Sequence, residues 1–261
     1  ERLPFLLLRA GRKFAGVNPA LSRKNINRLA IPAIFAGIAE PVLSITDTAI
    51  VGNIPENGLE SLAAVGIVGS FLSMLIWILG QTRSAVSAIV AQYVGGDRLD
   101  DIKTLPAQAI FLNLALSLLI LGVSLPLSPQ IFGLLNAEGL ILEYCISYFQ
   151  IRVWGFPLTL LTFAIMGIFQ GLQNTGWPML IAITGAGLNI LLDFALVYGV
   201  DGWIPAMNLE GAAWASLIAQ GVMALLALGL LMWRTPIRLK LQFPVHPEMR
   251  RLIGMVLNLF I

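Results

Sequence analysis

At 261 residues the chain is long enough for one or two soluble domains, yet 57% of it is hydrophobic and only 11% charged, against roughly a quarter charged in ordinary globular proteins. That composition excludes a soluble globular protein. The formal net charge of +2, with basic clusters that lack aromatic interleaving, argues against nucleic acid as a partner and leaves anionic lipid headgroups as what those clusters meet.

In chain order, residues 1–28 form a basic N-terminal segment holding Arg2, Arg9, Arg12, Lys13, Arg23, Lys24 and Arg28. Its apolar core, PFLLL, is too short for a secretory signal, so an interfacial helix is expected, at the start of a fragment or processed chain. Six apolar runs follow within residues 29–233: 29–52, 62–94, 105–125, 142–172, 178–198 and 209–233. Each has at least the length of about twenty residues that a helix needs to cross about 30 Å of hydrocarbon. The second is expected to be bent and increasingly polar after Gly80. Gly, Pro and Asn punctuate the joints, as in GNIPENG, LSPQIFG and QNTGWP. A linker, 234–247, leads to residues 248–261, which read as the start of a seventh helix.

Connections 53–61, 126–141 and 199–208 carry no lysine or arginine, whereas Arg98 and Lys103 follow the second run and Arg234, Arg238, Lys240, Arg250 and Arg251 follow the sixth. The positive-inside rule puts both ends in the cytoplasm. The expected class is therefore an all-α, multi-pass integral membrane protein, of the plasma (inner) membrane, with six transmembrane helices. Cys145 has no partner in the chain for a disulfide and reads as a small buried hydrophobe. His246, in the turn FPVHPE, reads as a solvated loop residue, and no phosphate-binding loop or other catalytic motif is present. The chain is expected not to be an enzyme and to need no cofactor.

The membrane carboxylates carry the chemistry. A charge at mid-bilayer costs at least about 2.5 kcal/mol, so such groups tend to face the bundle interior and mark ion or substrate pathways. Asp47 lies in the outer half of the first run, and Asp193 near the middle of the fifth. Asn189 precedes Asp193 by one helical turn, so carboxylate and amide share a face. Oxygen ligands suit a hard cation such as sodium, and a carboxylate out of water can instead hold a proton. Glu40 stands two turns before Asp47, with Pro41 between them freeing a backbone carbonyl. It is either a further cavity residue or, like Arg83 and Arg152, part of an internal ion pair. The tryptophans read as interface anchors or packing, and Met166 and Met223 as gap fillers.

The runs LAIPAIFAGIAEPVLSITDTAIVG, LAAVGIVGS, AQYVGGD, IFQGLQNTGWPM, LNILLDFALVYG and LEGAAWASLIAQ together resemble the multidrug and toxic compound extrusion (MATE) transporters, in particular their DinF-like branch. The resemblance covers most of residues 25–235. It implies the N-terminal lobe of a twelve-helix fold built from two pseudo-symmetric six-helix lobes. The function it implies is a secondary antiporter that exports organic cations or other amphipathic compounds, xenobiotic or metabolite, against sodium or proton entry. Carried over residue by residue, the family's ion-site positions fall on Asp47, Asn189, Asp193 and, in the sixth helix, Ser216. The partners implied are a C-terminal lobe in the same chain, or a second copy, since alternating access moves one repeat against another.

Two other classes fit less well. A flippase for lipid-linked precursors should show more cavity cations than Arg83 and Arg152. A non-transporting membrane scaffold would have no use for oxygen ligands stacked on facing helices.

Overall fold

The computed structural model describes residues 23–235 and 246–258. Much of the expected 1–28 segment, most of the 234–247 linker and the last residues of 248–261 lie outside the described residues.

The described chain is helical, without a strand: α1 (Arg23–Gly52), α2 (Gly58–Gly95), a 3-10 turn (Leu99–Ile102), α3 (Leu105–Ser124), α4 (Ser128–Leu134), α5 (Gly139–Arg152), α6 (Gly155–Gly171), α7 (Gly176–Val197), α8 (Asn208–Arg234) and α9 (Glu248–Asn258). Five single helices among the described residues are long and apolar enough to cross a bilayer, and the bent pair α5 and α6, taken together as one span, is a sixth. With no water in the hydrocarbon to satisfy a free backbone, helices are the form such runs must take.

The fourth run was expected to be continuous, but α5 and α6 meet at 48°. Two features cause the break. Pro157 lies in the first turn of α6, and in an unbroken helix its ring would collide with the carbonyl of Val153. Gly155 lets α8 come in at the break, where a Cβ would strike the Gln220 side chain. The connection 126–141 is also not a plain loop. It contains α4, with Pro129 in its first turn, and Phe132 packs edge-on against Phe71 of α2 and Phe149 of α5, ring centres 5.9 and 5.2 Å away. α2 runs as one helix through Gly80, whose bare α-carbon receives the Phe163 ring.

Two apolar clusters hold the lobe together. One joins Val86, Ile89, Ile165, Phe169, Ile181 and Leu231; the other joins Ile50, Val68, Phe132, Phe149, Val197 and Ala213. Along α7 the first cluster takes Ile181 and the second takes Val197, so Asn189 and Asp193 fall between them. Ser216 falls between Ala213 and Ala227 on α8 in the same way.

α9 docks by Met249 and Leu252, both in the first cluster. His246 is not the solvated histidine expected. Its Nε2 lies 2.9 Å from the Asp101 carbonyl, its Nδ1 accepts from the Glu248 amide at 3.2 Å, and its own amide donates to Gln108 Oε1 at 2.9 Å. The ring therefore caps the start of α9 and ties it to the turn between α2 and α3.

Candidate functional site

Asp47, Asn189, Asp193 and Ser216 come from α1, α7 and α8 and meet in the gap between the two apolar clusters. Three contacts bring these helices together. The Tyr198 hydroxyl donates to the Ile50 carbonyl at 2.8 Å, fastening the C-terminal end of α1 to that of α7. The Thr175 hydroxyl donates to the Leu29 carbonyl at 3.0 Å near the other end. Gly211 lets α8 lie directly on α7, where a Cβ would sit 2.5 Å from the Leu196 carbonyl oxygen. Side chains one turn apart on α7, Asn189 and Asp193, then face α1 and α8 together.

Asn189, Asp193 and Ser216 are almost wholly buried, at 1, 1 and 5% exposure, and Asp47 is half-buried. The Asn189 amide is assigned with its nitrogen toward the acids, because the opposite orientation sets its oxygen against acceptors only. So placed, Nδ2 donates to Asp47 Oδ1 at 3.0 Å and to Asp193 Oδ2 at 3.1 Å, and Oδ1 accepts from the Ser216 hydroxyl and amide, each at 3.1 Å. The amide thus holds the two carboxyl groups side by side. Asp193 Oδ1 is buried with no partner.

The structure thus brings together the four residues anticipated from the sequence, with one change in chemistry. Asn189 was expected to offer its oxygen beside the carboxylate; it offers its nitrogen to both acids and its oxygen to Ser216. Glu40 does not join them. The N-terminal half of α1 is exposed around Ile31, Ile34, Phe35 and Ile38; Glu40 is exposed with it, and Arg83 of α2 is within electrostatic reach. Nor do the membrane arginines form ion pairs among the described residues. Arg83 donates from Nε to Gln170 Oε1 at 3.2 Å and lies 5.6 Å from the centre of the Phe163 ring.

Tyr148 was not anticipated at the site, and Arg152 was read as part of an internal ion pair or as one of two available cavity cations. They stand one turn apart on α5, and both aspartates are within their electrostatic reach. A tyrosine and an arginine at i and i+4 inside an apolar run were the available signal.

The sequence profile of the MatE family matches residues 32–195. DNA damage-inducible protein F of Escherichia coli is 31% identical over 84% of this chain and 46% of its own length. The multidrug resistance protein PmpM of Pseudomonas aeruginosa is 30% identical over 80% of this chain and 43% of its own. A probable multidrug resistance protein NorM of Pasteurella multocida is 28% identical over 78% and 43%. The chain spans about half the length of these curated relatives. Among solved structures, a MATE protein in its bent conformation superposes with a TM-score of 0.80 at 24% identity, over 90% of this chain and 51% of the other. A MOP superfamily transporter from Pyrococcus furiosus does so with 0.74 at 23% identity, over 90% and 50%. Both support the fold. Fold, membrane spans and sequence agree, and the chain belongs to the MatE family of multi-pass membrane transporters, related to DinF and NorM, and corresponds to its N-terminal lobe.

Proposed function

We propose that this lobe is the ion-coupling half of a secondary antiporter that exports organic cations or other amphipathic compounds in exchange for protons or sodium. The observation that carries the reading is the pairing of Asp47 and Asp193 through one buried amide. Two acids that close, in a low-dielectric lobe, repel one another unless a proton or a cation lies between them. Loading and unloading that positive charge changes what holds α1 against α7, and α1 is the more loosely packed of the two. Export then follows if the charged and neutralised states favour opposite faces of the membrane when the lobe works against its partner lobe.

The two ions ask different things of Asn189. A proton needs only the carboxyl pair, and the amide can keep donating to it. Sodium wants oxygen ligands, so the amide would have to turn its oxygen inward and its nitrogen to Ser216, an arrangement the same frame accommodates with Nδ2 donating to Ser216 Oγ at 3.1 Å. Because the proton reaction requires no turn, we take protons as the physiological driver and sodium as a competitor at the same site. The membrane assigned to it is the plasma (inner) membrane, with both ends of this segment in the cytoplasm.

The test is transport of a fluorescent organic cation by the full-length protein in proteoliposomes, with one gradient imposed at a time. Transport driven by a pH gradient in sodium-free buffer, and slowed by sodium, is expected. Transport that follows a sodium gradient at fixed pH and ignores a pH gradient in sodium-free buffer would overturn the proton assignment.

A further inference from the structure

Beside the carboxylate pair lies a second polar cluster. Arg152 Nε, Thr159 Oγ1 and Gln220 Oε1 are each buried without a hydrogen-bond partner. Their side chains, from α5, α6 and α8, line one small cavity at the break between α5 and α6, together with Leu72, Ile76 and Phe156. It offers ≈ 10 Å³ to the centre of a water molecule, about the room one water requires. A water placed there would accept from Arg152, donate to Gln220 and exchange a hydrogen bond with Thr159.

Arg152 lies within electrostatic reach of both acids without forming an ion pair with either. Asp47 and Asp193 both feel it, and buried Tyr148 stands close to all three. No carboxylate among the described residues forms an ion pair with it. We propose that Arg152, held by a water shared with Thr159 and Gln220, is the fixed countercharge of the Asp47–Asp193 pair and restricts that site to an ion of single positive charge. This rests on reading the pair as the ion site.

In a dry lobe, charge balance decides which ion the site takes. Two ionised acids and one guanidinium leave a single negative charge, which one proton or one monovalent cation cancels. A divalent cation would leave an uncompensated positive charge, which a low-dielectric interior disfavours. With Arg152 gone, two negative charges face one another and a divalent cation becomes the neutralising ligand, since hard oxygen ligands suit it. Arg152 is thus a positioning and selectivity residue that touches neither ion nor substrate.

The test is manganese(II) binding to the purified full-length protein, read by electron paramagnetic resonance. Arg152→Gln should bind manganese about tenfold or more tighter than the unsubstituted protein, a modest share of what removing one unit charge at this range can give. Adding Asp193→Asn to that variant should abolish the gain. Gln220→Glu, which neutralises Arg152 in place and keeps its side chain, should produce the same gain and decides the matter if Arg152→Gln does not fold. Manganese affinity unchanged in the folded variants, or a gain that survives Asp193→Asn, overturns the proposal. Failure of the underlying reading looks different: Asp193→Asn alone would then leave gradient-driven efflux intact.

Discussion

At the scale of single residues, the site is organised by one amide. Asn189 Nδ2 spans Asp47 and Asp193, and its oxygen is held by Ser216, so its two ends answer different demands. Asn189→Ser should therefore weaken sodium binding more than it weakens proton-driven transport. Sodium-dependent shifts in melting temperature, set against pH-driven efflux in the same variant, measure the difference. Equal losses in both would contradict the role assigned to the amide. Asp193→Asn keeps the shape of a buried side chain and removes its charge. Because a buried charge is costly to hold, its melting temperature should equal or exceed that of the parent, and a marked fall would make Asp193 a structural residue instead. Asp47, Asn189 and Asp193 were legible in the sequence because polar groups in apolar runs stand out and the turn of α7 puts two on one face. Which end of the amide faces the acids was not, since it depends on groups from α1 and α8 that only the tertiary contacts bring near. Glu40 was legible only as a carboxylate in an apolar run, since a two-turn spacing fixes a face but not what lies against it.

At the scale of elements, run lengths and joints placed most helices, because hydrocarbon thickness sets a minimum length and Gly, Pro and Asn end helices for local reasons. Long-range causes were harder to see. The break between α5 and α6 needs both Pro157, visible in the sequence, and the approach of Gln220 to Gly155, which is not. Gly155→Ala should force α8 outward and cost about 1–3 kcal/mol, as over-packing does; a thermal melt checks it, and an unchanged melting temperature would show that the Gln220 side chain swings clear. α9 gives a second case. His246→Ala removes the ring that accepts from the Glu248 amide and meets the Asp101 carbonyl, a loss of about 0.5–2 kcal/mol on the scale of helix caps. Faster hydrogen exchange at the first amides of α9, with the helices of the lobe unaffected, is the expected signature. Uniform protection would mean that Met249 and Leu252 hold α9 without the cap.

For the molecule as a whole, two apolar clusters with a polar site between them amount to a rigid frame around a few chargeable groups, and α1 is its least embedded part. The relatives it matches are about twice its length, so the proposed export is tested on the full-length protein. The central claim is that the charge on the Asp47–Asp193 pair couples ion entry to export. It is tested most directly by comparing full-length parent and Asp193→Asn proteins in proteoliposomes, with efflux of a fluorescent organic cation followed under an imposed pH gradient and then under a sodium gradient. Asp193→Asn is expected to insert and fold as the parent does yet to show only background efflux under either gradient. Efflux by Asp193→Asn at the parent's rate under either gradient would contradict it.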